Sequence, residues 1–446
     1  MNHTPHRVFG VVLALVTFAA QAEVIEIYVA ARDTPAAKAA EPMADGKTKF
    51  WFPKLPRAFE KVAELLNGTE HEVRVNVAKA DDLPAVALPN GLNGAKAKLL
   101  ILGGWCDDWK KRDPFTCASA FTTGEGRNTG FLSFGGNKTL LDTLVVSGFV
   151  MNAAPSNKYD AKTNSLLKGT SSTTPLMGLS QVVVKKLVVA DNVFVNGAHR
   201  AFEVYHSPAS NEAEVEIVNN FVLNTVIPFK FSPALYKGFL TRRVRFANNS
   251  VIMNWPFNPD STSSNVGALE LYHKDCCSEL VVEGNLFAFN FGGAMQHDWP
   301  TNRMGKLALR NNLFFKNAQL FGDDRAEAGV FTGKFGTNPK YAVIALAAHM
   351  EDDYPYEFSG NVSLDPGLSI LPPDLLAADS NKVEADKTKM NEVRQLVGAN
   401  QQGGTVAIKN YAPRLDLDLT KLPFPTEAKA KAFGVQKDKL FAPSSP

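Results

Sequence analysis

Four side chains recur at one place in a repeated pattern: Glu203 in AFEVYH, Lys230 in PFKFS, Glu270 in ALELYH and Gln296 in AMQHD. Two residues further on stand Tyr205, Ser232, Tyr272 and Asp298, and His206, His273 and His297 flank them. If the segments are neighbouring parallel strands, about 4.8 Å apart, these side chains form one row with chemistry in it. Tyr205 and Tyr272 suit stacking on sugar rings, and His206, Gln296 and His297 suit hydrogen bonds to hydroxyls. Taking the proton next to a uronate carboxylate needs a base, for which Lys230 and His273 are the candidates. It also needs a positive partner for the carboxylate, Arg200 or Arg303. Glu203, Glu270 and Asp298 carry hard oxygen ligands of the kind that hold Ca²⁺. Hydrolysis between Glu203 and Glu270 stays open too, since it needs carboxylates about 5–10 Å apart. The same row also reads as a solvated face whose opposite charges pair across strands. Both readings stand on the sequence.

Other motifs are weak. The His297-Asp298 pair has no GxSxG elbow to serve. Gly135-Gly136-Asn137-Lys138 lacks the spacing of a phosphate loop. No CxxC or spaced histidine pair marks a zinc site.

The elements that position the row come from a repeat. Asn192, Asn220, Asn249, Asn285 and Asn312 each follow an apolar pair at minus five and minus three, such as Val215/Ile217 or Leu280/Val282. Each precedes an apolar residue by two: Phe194, Val222, Val251, Phe287, Phe314. A turn former stands just before each anchor, and a further Asn follows at four or five residues: Asn196, Asn224, Asn254, Asn290, Asn317. The anchors lie 28, 29, 36 and 27 residues apart, the long interval holding the polar loop 254–265. Alternating Val and Phe over short runs argue for strands with one buried face. A unit this short cannot bury that face alone and must stack on its copies. The anchors are expected at equivalent turns, in left-handed or bridging conformation, with their amides stacked.

The strings NNFVLN, NNSVIMN, GNLFAFN and NNLFFKN resemble the right-handed parallel β-helix proteins of the pectate-lyase-like superfamily, over roughly residues 145–368. The stretch LLILGGWCDDWKKRDPF is similar to an early turn of secreted bacterial β-helix proteins. The resemblance implies an all-β fold, a right-handed parallel β-helix (solenoid). Its activities range over polysaccharide lyases, hydrolases, epimerases and non-catalytic surface proteins. Some β-helix lyases set a Lys/Arg pair beside Glu-bound Ca²⁺, and the row here is similar in kind. The specific strings of classical pectate lyases, polygalacturonases and alginate epimerases are missing.

Met1–Ala22, with Arg7, an apolar run Val8–Ala20 and an Ala20-Gln21-Ala22 end, reads as a secretory signal peptide. The run is shorter than the roughly 20 residues of a membrane span. Residues 23–94 are expected to hold a strand and an amphipathic capping helix, 95–371 the β-helix, and 372–446 an irregular or helical extension. Lys+Arg 47 against Asp+Glu 45 leaves a formal charge of +2, too little to argue for a nucleic-acid partner. Cys106 and Cys117 bracket a loop that a disulfide can close, while adjacent Cys276 and Cys277 suit separate fates. The expectation is an exported monomer, periplasmic or extracellular, that binds or cleaves a polysaccharide, for instance a uronate-containing glycan. The alternative is a non-catalytic adhesion or structural protein.

Overall fold

The computed structural model describes residues 22–88, 91–122, 130–135, 139–159, 174–205, 212–232, 241–254, 267–271, 277–290, 293–296, 306–317, 331–334, 341–344, 356–368 and 414–442. Most of the leader-like segment, the inserted loop at 255–266 and residues 369–413 fall outside this set.

Each circuit of the chain gives one strand to each of three sheets. One circuit runs Val182–Ala190, Val193–Val195, Phe202–Tyr205; the next runs Glu214–Val218, Phe221–Leu223, Phe229–Ser232. Strands pair with their counterparts one circuit away, building sheets of 11, 8 and 9 strands. Pairing is parallel, as in Leu187↔Val215, Phe194↔Val222 and Glu203↔Lys230. The exception closes the third sheet, where Phe331–Lys334 meets Tyr341–Ile344 antiparallel. The topology is compatible with a parallel β-helix. Stacking begins before residue 95, since Glu72–Ala78 lies between Val24–Val29 and Asn93–Trp105 in the first sheet. Helix Leu55–Leu66 buries Leu55, Ala58, Phe59, Val62 and Leu66 in the main core, one stripe at helical spacing.

The alternation seen in the sequence sets the core. Val222, Val251, Phe287 and Phe314 are all fully buried within it. Phe246, Phe287 and Phe314 stack, with centroids 6.0 and 5.3 Å apart and ring planes 20° and 4° apart. Burying each such ring is worth about 1.5–3 kcal/mol.

The asparagine anchors form one continuous ladder. From Asn220 onward, each side-chain carbonyl accepts from the backbone N–H and the amide of the anchor one circuit earlier. Asn249 N and Nδ2, for example, lie 2.8 and 3.1 Å from Asn285 Oδ1. Each amide also donates to a carbonyl of the first sheet, as Asn285 does to Phe246 O at 2.9 Å. Of the left-handed or bridging conformations expected at the anchors, the left-handed one is corrected, because the positive φ falls on the residue before. Asp191, Asn219, Asn248, Gly284 and Asn311 have φ of 56, 59, 53, 65 and 51°. The anchor's amide must point into the stack, so the turn is made by its neighbour. At Gly284 a side chain would lie 2.4 Å from Asn248 Oδ1, which explains glycine there. A second ladder joins Asn254, Asn290 and Asn317, with Thr225 above them. Asn196 and Asn224 belong to the preceding, left-handed position, shared with Met253, Phe289 and Lys316.

Outside, the first sheet carries alternating charge. Glu214, Arg243, Glu279 and Lys306 follow one another across strands, and Arg245 reaches Glu216 at 3.7 Å and Glu283 at 2.7 Å. The outside of the second sheet is apolar and is covered by residues 414–442. Leu415, Leu422, Ala430 and Val435 pack on Val193, Phe221, Leu286 and Leu313. The strap is fastened to the turns: Gly434 N to Gly284 O, Gln436 N to Asn219 Oδ1 and Phe441 N to Asp191 Oδ2. Arg112 sits in the loop closed by the Cys106–Cys117 disulfide. It donates to Gly103 O, Ser147 Oγ, Asp191 Oδ2 and Phe441 O, tying three circuits and the strap together. Cys277 is buried.

Candidate functional site

The third sheet carries the predicted row. Ala87, Ser133, Gly178, Glu203, Lys230, Glu270 and Gln296 are successive cross-strand partners. Leu132, Phe134, Met177, Leu179, Phe202, Val204 and Phe229 alternate with them and point into the core. The strand period alone therefore turns the polar row outward.

At its centre four ionic side chains converge. Lys230 Nζ lies 3.2 Å from Glu203 Oε1, and Arg200 reaches Glu203 at 3.8 Å and Glu270 at 3.6 Å. Arg200 also contacts His199 Nε2 at 3.0 Å. Glu270 is fully buried, and among the described residues Arg200, at 3.6 Å, is the cation that its carboxylate meets. Burial raises its carboxyl to about 7, against the pull of Arg200 and Lys230. Burial, with the same two cations, drives His199 down to about 3, so its ring is neutral at physiological pH. Glu203 and Glu270 thus face an arginine and a lysine, a set that fits ion pairing within the protein. Calcium wants six to eight oxygens, and among the described residues no group of three or more His, Cys, Asp and Glu comes together.

Beside the cluster lies a cleft of about 500 Å³. Its floor is Ser133, Gly178 and Ser180, its wall includes Thr174 and Pro175, and Arg200, Glu203 and Tyr205 stand at one end. Tyr205 is 42% exposed, and Lys230 Nζ sits 5.9 Å from its ring centroid.

The structure thus brings together Arg200, Glu203, Tyr205, Lys230 and Glu270. His206, Tyr272, His273, His297, Asp298 and Arg303 lie outside the described residues, as does the side chain of Gln296. The cleft residues Ser133, Gly178 and Ser180 escaped the sequence reading. They precede Asn192, so no anchor gives their register. Comparisons with protein-family models, with curated proteins and with solved structures found no match.

Proposed function

We propose that the protein is an exported, monomeric right-handed parallel β-helix of the pectate-lyase-like kind, with helix Leu55–Leu66 as its cap. In this reading the third sheet binds an acidic, uronate-containing polysaccharide. The observation that carries it is the cleft itself, where an exposed tyrosine face stands next to an arginine beside Ser133 and Ser180. Aromatic faces take sugar rings, and a guanidinium takes a carboxylate.

The chemistry within reach is β-elimination. Arg200 neutralises the uronate carboxylate. A base takes the proton on the adjacent carbon, that bond's electron pair becomes a carbon–carbon double bond, and the glycosidic oxygen leaves with a proton. Lys230 is the described candidate base once its own proton is released. One observation favours a second reading, binding without turnover. The 3.2 Å pair with Glu203 engages the head of Lys230 within the protein, so the side chain serves the fold without needing a substrate.

Purified protein incubated with uronate polysaccharides tests both. New ultraviolet-absorbing unsaturated ends, lost in Lys230→Ala, establish elimination. Binding without new ends establishes the second reading, and neither binding nor new ends refutes the proposal.

A further inference from the structure

The cleft has a direction. Along the outward row the residues are Ala87, Ser133 and Gly178 over three successive strands, then abruptly Glu203 and Lys230. The small side chains leave a trough roughly 14 Å long, three strands at about 4.8 Å each. Gly178 is obligatory here, because a Cβ would come within 2.8 Å of the Pro175 ring that walls the trough. In the neighbouring row Ser180 gives way to Tyr205, again small to large. At the end formed by Glu203, Tyr205 and Arg200 the floor rises, and Lys230 fills the space behind with its head beneath the tyrosine ring. Glu203 and Lys230 cannot step aside cheaply. They are ion-paired with each other, and their side chains are only 14% and 11% exposed.

An open trough accepts the middle of a chain, with sugars continuing past both ends. A trough stopped by a packed ion pair accepts an end. Resting on the acidic-polysaccharide reading above, we infer that the trough over Ser133, Gly178 and Ser180 holds the terminus of a uronate chain. It takes the last two or three sugars, with the end residue against Tyr205 and its carboxylate at Arg200. Arg200 suits this role, since its ion pairs at 3.8 and 3.6 Å are longer than hydrogen bonds and, among the described residues, its buried Nε–H meets no acceptor. One coil of the sheet per sugar gives each ring its own rung.

The test is calorimetric, on the full chain, with galacturonate oligomers of one to six units as probes. Affinity should climb to the third sugar and then level off. With long polygalacturonate at fixed mass, binding capacity should increase in proportion to the number of chain ends made by partial fragmentation. Ser180→Trp, which fills the trough from an outward position, should lose at least tenfold in affinity for the trimer while its circular dichroism spectrum stays unchanged. Should that variant misfold, Ser133→Gln blocks the same floor one strand away. Affinity that keeps growing past four sugars, capacity that follows polymer mass, or a folded blocking variant that binds normally each overturns end recognition while leaving the acidic-glycan reading intact. Failure of every oligomer and polymer to bind overturns both.

Discussion

Replacing Asn285 by valine tests the ladder where it is best defined. The side chain takes part in four hydrogen bonds. Its Oδ1 accepts from Asn249 N at 2.8 Å and Asn249 Nδ2 at 3.1 Å, and its Nδ2 donates to Phe246 O and Asn312 Oδ1, both at 2.9 Å. Not all four count equally. Asn249 Nδ2 still reaches Ile217 O at 2.9 Å, and Asn312 Oδ1 still accepts from Asn285 N at 3.1 Å. The group stranded outright is the buried N–H of Asn249, at about 1–3 kcal/mol, with about 0.5–1.5 kcal/mol for the lost bond to Phe246 O. Backbone strain adds nothing, because the positive φ belongs to Gly284. The expected loss is about 2–4 kcal/mol. Guanidinium unfolding followed by circular dichroism reads it, and hydrogen exchange at the amide of Asn249 locates it. A loss under about 0.5 kcal/mol, or unchanged exchange there, would refute the ladder as a source of stability.

Phe287→Ala removes the middle ring of a fully buried stack and should cost about 3–5 kcal/mol; the guanidinium midpoint checks it. Arg112→Met leaves Asp191, itself wholly buried, without its cation. About 3–5 kcal/mol should be lost, and trypsin should cut at Lys437 and Lys439 before any other site. Glu270→Gln should alter the pH dependence of stability. The folded carboxyl holds its proton to about 7 against 4.5 for an ordinary one, so wild-type stability falls as pH rises between those values. The amide cannot ionise, so the variant should gain on the wild type at pH 8 relative to pH 5. An equal difference at both pH values would contradict this.

The repeat was legible because a buried asparagine tolerates little else at its place, so Asn192 to Asn312 print a register onto the sequence. The charged row followed from that register by counting. Two things did not follow. The asparagines after each anchor look like one series, yet Asn196 and Asn224 make turns while Asn254, Asn290 and Asn317 stack, because the two classes differ by one residue of spacing. The cleft stayed hidden because it is made of what is missing, the side chains of Gly178 and its small neighbours. Cross-strand charge pairing was expected on the third sheet as one reading of the row. Its longest run is instead on the first, through Glu214, Arg243, Glu279 and Lys306, where strands are longer and no cleft interrupts them.

The strap gives the fold an order in time. A chain made from its N-terminus can stack each new circuit on the last, because every circuit needs only its neighbour. Asn219 Oδ1, Ser250 Oγ and Gly284 O then wait for the donors of the strap, and the apolar outer face of the second sheet stays uncovered. Residues 434–436 supply their donors, and Phe441 closes against Asp191 and Arg112. Two residues 329 apart in sequence are therefore joined in one cluster. A chain cut short by a few tens of residues would keep nearly every strand and still present an open, sticky flank. The latch thus couples the sealing of that flank to residues 434–441.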